Sequence, residues 1–129
     1  MIQTQKKIFR ILTGIDLFLM LVFLGSTLLN LATGGADEAA NLFFDNRLLA
    51  LTFAVWAFVF YKMYTFKKIG RNLFVPMLIF SELHSWYYWE TIEIVDQAYW
   101  LDLILYADYF ITGIMFALMY LTNMKKEFQ

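Results

Sequence analysis

Residues 8–33 read IFRILTGIDLFLMLVFLGSTLLNLAT, and Arg10 and Asp16 are the only charged side chains among them. A helix that crosses a bilayer needs ~20 mostly apolar residues, within a range of roughly 17 to 25. The run meets that length. Lys6 and Lys7 precede it, as positive charge precedes the apolar part of a secretory signal. Its apolar part is too long for a signal, it contains Asp16, and no small-residue cleavage site follows. The run therefore predicts a retained transmembrane helix.

Three further runs have the same character. They are LLALTFAVWAFVFYKMYTF at 48–66, LFVPMLIFSELHSWYYW within 72–90, and AYWLDLILYADYFITGIMFALMYLT at 98–122. Short connectors join them: GGADEAANLFFDNR, KKIGRN and ETIEIVDQ. Gly34, Gly35 and Gly70 read as helix stops. The pattern predicts one all-α domain over residues 1–129, an integral membrane four-helix bundle with up-down topology. Composition agrees, with 61% of the 129 residues hydrophobic and 20% aromatic, where a soluble domain is nearer half apolar.

Charge alternates along the connectors. Lys6, Lys7 and Arg10 open the chain, Lys67, Lys68 and Arg71 lie between the second and third runs, and Lys125 and Lys126 follow the fourth. The other two connectors carry Asp37, Glu38, Asp45, Glu90, Glu93 and Asp96 against Arg47. The positive-inside rule places both termini in the cytoplasm and the acidic connectors outside. A bacterial inner membrane is the expected location. With Asp102, the six connector acids would line an outer vestibule, and acidic rings concentrate cations at channel mouths.

Aromatic side chains cluster where the runs should meet the membrane surfaces. Trp86, Tyr87, Tyr88, Trp89, Tyr99 and Trp100 fall at the outer level, and Tyr61, Tyr64 and Tyr120 at the inner. Amphipathic rings collect at both interfaces, which explains them without a ligand.

Ionisable residues inside the runs are harder to explain as solvated groups. Glu82 and Asp108 each lie about midway along a span, ~15 Å deep in a ~30 Å core. His84 sits farther out, and Asp16 sits in the inner third of its span. Lys62 lies near enough to the inner surface for its ammonium to reach water. A carboxylate at the bilayer centre costs about 2.5–3.5 kcal/mol on the insertion scale, so these acids should face other helices or water. Ser81, Glu82, His84 and Ser85 share one arc of the third helix. Thr13, Asp16, Met20, Phe23, Thr27 and Asn30 form a seven-residue-repeat stripe on the first. Leu101, Leu105, Asp108, Thr112, Met115, Met119 and Thr122 form one on the fourth. Such stripes suit left-handed helix packing. The second run has the weakest polar stripe, so it should be the most lipid-exposed.

Glu82, His84, Asp108 and Asp16 are accordingly the candidate proton- or cation-binding residues, with Glu82 as the exchanging group. Three acids face one histidine, so at least one acid should be neutral or hold a cation. Interhelical glue is the plainer role for polar groups in a membrane, but such hydrogen bonds average only about 0.6 kcal/mol. Serine or threonine would supply that more cheaply than an acid.

Several chemistries lack residues. The chain has no cysteine, which excludes disulfides, thiolate metal sites and thiol catalysis. The net charge of −1 offers no basic field for nucleic acid. One histidine cannot build a histidine-rich metal site, and the Glu82-x-His84 spacing makes the side chains diverge on a helix. No cofactor is implied and no metal is identified. The expected function is movement or coupling of protons or cations by a homo-oligomer, since four short helices leave little room for a pore. Two alternatives use the same residues: an accessory subunit of a larger membrane complex, and a membrane-embedded acid–base enzyme, for which no catalytic motif is present.

Overall fold

A computed structural model of the chain describes residues 1–33, 46–91 and 99–129; the side chains of residues 46, 85–91, 99–102 and 105 lie outside the description. Four helices make up the fold: α1 (Ile2–Ala32), α2 (Asn46–Tyr64), α3 (Lys68–Thr91) and α4 (Tyr99–Leu121). A short 3₁₀ turn follows at Asn123–Glu127. The described residues contain no strand.

Among the described residues, two helices are long and apolar enough to cross a membrane: α1, and α2 from Arg47 to Tyr64. Among the described residues of α4 the apolar stretch is Tyr106–Leu121. Four such spans were expected.

Packed neighbours run antiparallel. The rings of Phe9 and Phe66 meet at 5.6 Å, and those of Phe23 and Phe53 also at 5.6 Å, which pairs the start of α1 with the end of α2. Trp56 Nε1–H donates to Ser81 Oγ at 2.8 Å, and the Phe60 and Phe74 rings lie 6.5 Å apart, so α3 returns along α2. Thr13 Oγ1 lies 3.4 Å from Met115 Sδ, which sets α4 against α1. The order across the molecule is therefore α3, α2, α1, α4. Among the described residues the backbones of the consecutive helices α3 and α4 scarcely approach. Side chains span the gap: Tyr120 O–H donates to the Arg71 carbonyl at 2.7 Å.

Among the described residues the core is lopsided. Phe9, Val59, Met63, Phe74, Met115, Met119 and Met124 are fully buried, and Phe60, Phe66 and Phe128 nearly so. Most of them lie near the α2–α3 turn, which we call the closed end. Toward the other end large apolar residues are exposed, among them Phe18 at 66%, Leu29 at 63% and Leu51 at 60%. Methionine suits the closed end because its unbranched thioether fills gaps between rings of different tilt.

Two expectations fail here. The most exposed helix is not α2, which carries Trp56, Ala57, Val59, Phe60 and Met63 into the core and packs between α1 and α3. Aromatic and β-branched bulk, rather than a polar stripe, fills the interior of so small a bundle. Nor does Gly70 stop a helix. It lies in the first turn of α3, where a Cβ would come within 2.7 Å of the Met63 backbone nitrogen. Glycine is required there because α3 starts against the backbone of α2. Gly34 and Gly35 lie outside the described residues.

The α2–α3 turn is only Thr65–Lys67. Phe66 N–H donates to the Met63 carbonyl and Lys67 N–H to the Lys62 carbonyl, at 2.9 and 2.7 Å. This is the Schellman closure of a helix end, which needs a left-handed residue. Phe66 supplies it, with φ 54°. The segment after α4 docks on this turn. Gln129 N–H donates to the Phe66 carbonyl at 3.0 Å, and Lys68 N–H donates to the Gln129 carbonyl at 2.8 Å. Phe128 inserts edge-on against Phe9, Arg71 donates to the Lys125 carbonyl at 2.8 Å, and Lys6 pairs with Glu127.

Candidate functional site

The α1 stripe is buried where it meets α4. Thr13 and Asp16 are both 0% exposed. Thr13 Oγ1 donates to the Phe9 carbonyl at 2.8 Å, the local bond that satisfies a threonine inside a helix. Asp16 has no such route. Both of its carboxylate oxygens are shut from solvent and have no hydrogen-bond partner among the described residues. Buried polar atoms are nearly always paired, so an acid with two orphan oxygens calls for an explanation.

Asp108 of α4 is the electrostatic neighbour of Asp16. It is half-buried. Thr13 and Met115 mark a common level of α1 and α4. Counted from there, Asp16 rises ~4.5 Å and Asp108 ~10 Å away from the closed end. The two acids thus form a step, Asp16 deeper and Asp108 nearer the open end. Beneath Asp16 lies the plug of Phe9, Met63, Phe66, Met115, Met119, Met124 and Phe128.

Glu82 occupies a different place. It is exposed, on the gap between α3 and α4. Tyr109 of α4 is an electrostatic neighbour of both Glu82 and Asp108. His84 is half-buried, and its ring stacks on Phe80 at 6.1 Å. Ser81, expected on the same arc, is held by Trp56. Of the four candidates, Asp16 and Asp108 are electrostatic neighbours, Glu82 and Asp108 share Tyr109 as a neighbour, and His84 lies two residues beyond Glu82 along α3.

Tyr109 is the residue that sequence reasoning missed. It follows Asp108 and shares the depth of Glu82, but one aromatic among many gave no reason to single it out. The outer-vestibule acids Asp37, Glu38, Asp45, Glu93 and Asp96 lie outside the described residues. Glu90 lies in α3 and Asp102 in α4, with side chains outside the description. No cluster of three or more His, Cys, Asp or Glu suited to a metal ion occurs among the described residues.

Chemically, the arrangement can accept and return a proton. A charge without a partner is far costlier to bury than a neutral acid. A second carboxyl nearby adds repulsion whenever both are ionised. Loss of a proton at Asp16 therefore has to be accompanied by proton gain at Asp108, entry of a cation, or opening of the site. No family model, curated protein or solved structure matches the chain.

Proposed function

We propose that this chain is an integral membrane protein, with four helices and both termini on the cytoplasmic side, that binds and passes protons or small cations at Asp16 and Asp108. Two long apolar helices and the alternating charge of the connectors support the membrane placement. The observation that carries the functional reading is Asp16, fully buried with neither oxygen hydrogen-bonded. Nothing in the folding of a bundle calls for that, because asparagine or threonine would sit there at lower cost.

In this reading Glu82 and Tyr109 lie on the approach from the acidic face, and Asp108 relays to Asp16. The plug of rings and methionines closes the path on the basic side. The resting form is then loaded from the acidic face, and flux requires the plug to part. A homo-oligomer would cover the edges formed by α3 and α4.

The test is proton uptake by proteoliposomes under a pH gradient. Wild type is expected to exceed empty liposomes. Asp16→Asn keeps the shape but cannot ionise, so it should fall to the empty-liposome level while remaining folded. Glu82→Gln, on the exposed approach, should slow uptake several-fold without abolishing it. Equal rates for wild type and Asp16→Asn, or no wild-type flux, would sink the proposal.

A second reading, an accessory subunit of a larger membrane complex, is favoured by the gap between α3 and α4. A partner helix seated there would meet Glu82 and Asp108 directly. Stoichiometric co-purification of a foreign chain would favour it.

A further inference from the structure

A groove of about 450 Å³ runs along the outside of α1 where α2 ends, lined by Arg10, Ile11, Gly14, Ile15, Phe18 and Tyr64 among others. Its mouth is polar and its length is apolar. Arg10 is exposed at the closed end, with its guanidinium 5.1 Å from the centre of the Phe66 ring. That ring holds the charge at the mouth without neutralising it. From Arg10 to Phe18 the groove extends ~12 Å along the helix axis. Gly14 forms part of the floor, where a Cβ would lie 3.7 Å from the Tyr64 ring. A larger side chain at position 14 would fill the channel.

We infer that this groove is a binding site for an anionic phospholipid of the cytoplasmic leaflet. The headgroup phosphate would sit at Arg10 and an acyl chain would lie over Gly14 between Ile11, Ile15 and Phe18. Charge complementarity selects this occupant. Lys6, Lys7, Lys67 and Lys68 belong to the same end of the fold as Arg10, and Glu127, the acid there, is taken by Lys6. Basic pockets beside transmembrane helices at the cytoplasmic surface recognise acidic headgroups. An uncharged partner helix would gain nothing from the mouth, and a free phosphate would gain nothing from the apolar length. The inference rests on the membrane placement of the chain and is independent of the acid pair.

The test is native mass spectrometry of the full chain, delipidated in detergent and mixed with equal amounts of dioleoylphosphatidylglycerol and dioleoylphosphatidylcholine. Wild type is expected to retain one phosphatidylglycerol in preference to phosphatidylcholine. Arg10→Gln should reduce that preference about fivefold, the factor one basic residue contributes at an anionic surface. Gly14→Leu, and Ile15→Trp at an exposed position should Gly14→Leu not fold, should lose the bound lipid of either kind. Lys126→Gln should change nothing. Asp16→Asn should retain lipid as wild type does, which separates this site from the proton site. Equal retention of both lipids by wild type would overturn the inference. So would equal losses from Arg10→Gln and Lys126→Gln, or a change of oligomer mass in Gly14→Leu with lipid retention intact.

Discussion

Phe66 adopts a backbone conformation that side chains with a Cβ avoid, at φ 54°. The left-handed region costs such a residue roughly 1–2 kcal/mol. The ring offsets this by packing 5.6 Å from Phe9 and 5.4 Å from Phe128, with Arg10 above it. Two effects can be separated by substitution. Phe66→Ala loses the ring and keeps the strain, and should destabilise by about 3–5 kcal/mol. Phe66→Gly loses the ring and relieves the strain, so it should be the more stable of the two by about 1 kcal/mol. Denaturant titration in detergent reads the difference. Asp16 carries the opposite expectation. Asp16→Asn removes an ionisable group from a site with no partner, so the melting temperature should hold or rise even as uptake is lost. A fall of several degrees would mean that the carboxyl has a structural partner.

At the scale of elements, α2 is held from two sides and its polar link to α3 is the bond from Trp56 to Ser81. Ser81→Ala leaves a nearly buried indole N–H without an acceptor and should cost about 1–3 kcal/mol. Trp56→Phe removes the donor itself, leaving no indole N–H to satisfy, and should cost less than Phe66→Ala. Gly70→Ala is expected to be severe for its size, because the clash is with backbone that cannot rotate away. Overpacking of this kind costs about 1–3 kcal/mol. The helices themselves were legible in the sequence through the length of their apolar runs, and the burial of Thr13 and Asp16 through their shared stripe. Neighbourhood was not. Nothing in the runs says that α3 packs on α2 and α4 on α1 with side chains alone bridging α3 and α4, so Tyr109 as the neighbour of Glu82 could not be read from them. The role of Gly70 was hidden for a related reason. Glycine serves both helix ends and close crossings, and only the partner backbone distinguishes the two. Residues 123–129, in which only Lys125 and Lys126 drew notice in the sequence, close the core because Met124 and Phe128 are apolar positions within it.

For the molecule as a whole, orientation is the property on which the functional reading depends. Lys68 and the positions Asp37 and Glu93 should fall on opposite faces if the charge alternation is obeyed. Single cysteines introduced at each position, in a chain with none of its own, allow labelling by an impermeant maleimide in intact cells. Reaction at positions 37 and 93 with protection at 68 is expected, and the reverse pattern would invert the proposed loading face. The concentration of rings and methionines at one end has a further consequence. Local free energy of opening follows buried apolar contact, so it should not be uniform along the helices. Amide hydrogens near Val59, Phe60 and Met119 should exchange only with global unfolding. Those of α1 beyond Phe23 should exchange orders of magnitude sooner, with Asp16 near the boundary between the two regimes. A proton site placed there could be uncovered by a fluctuation that leaves the remainder of the protein intact.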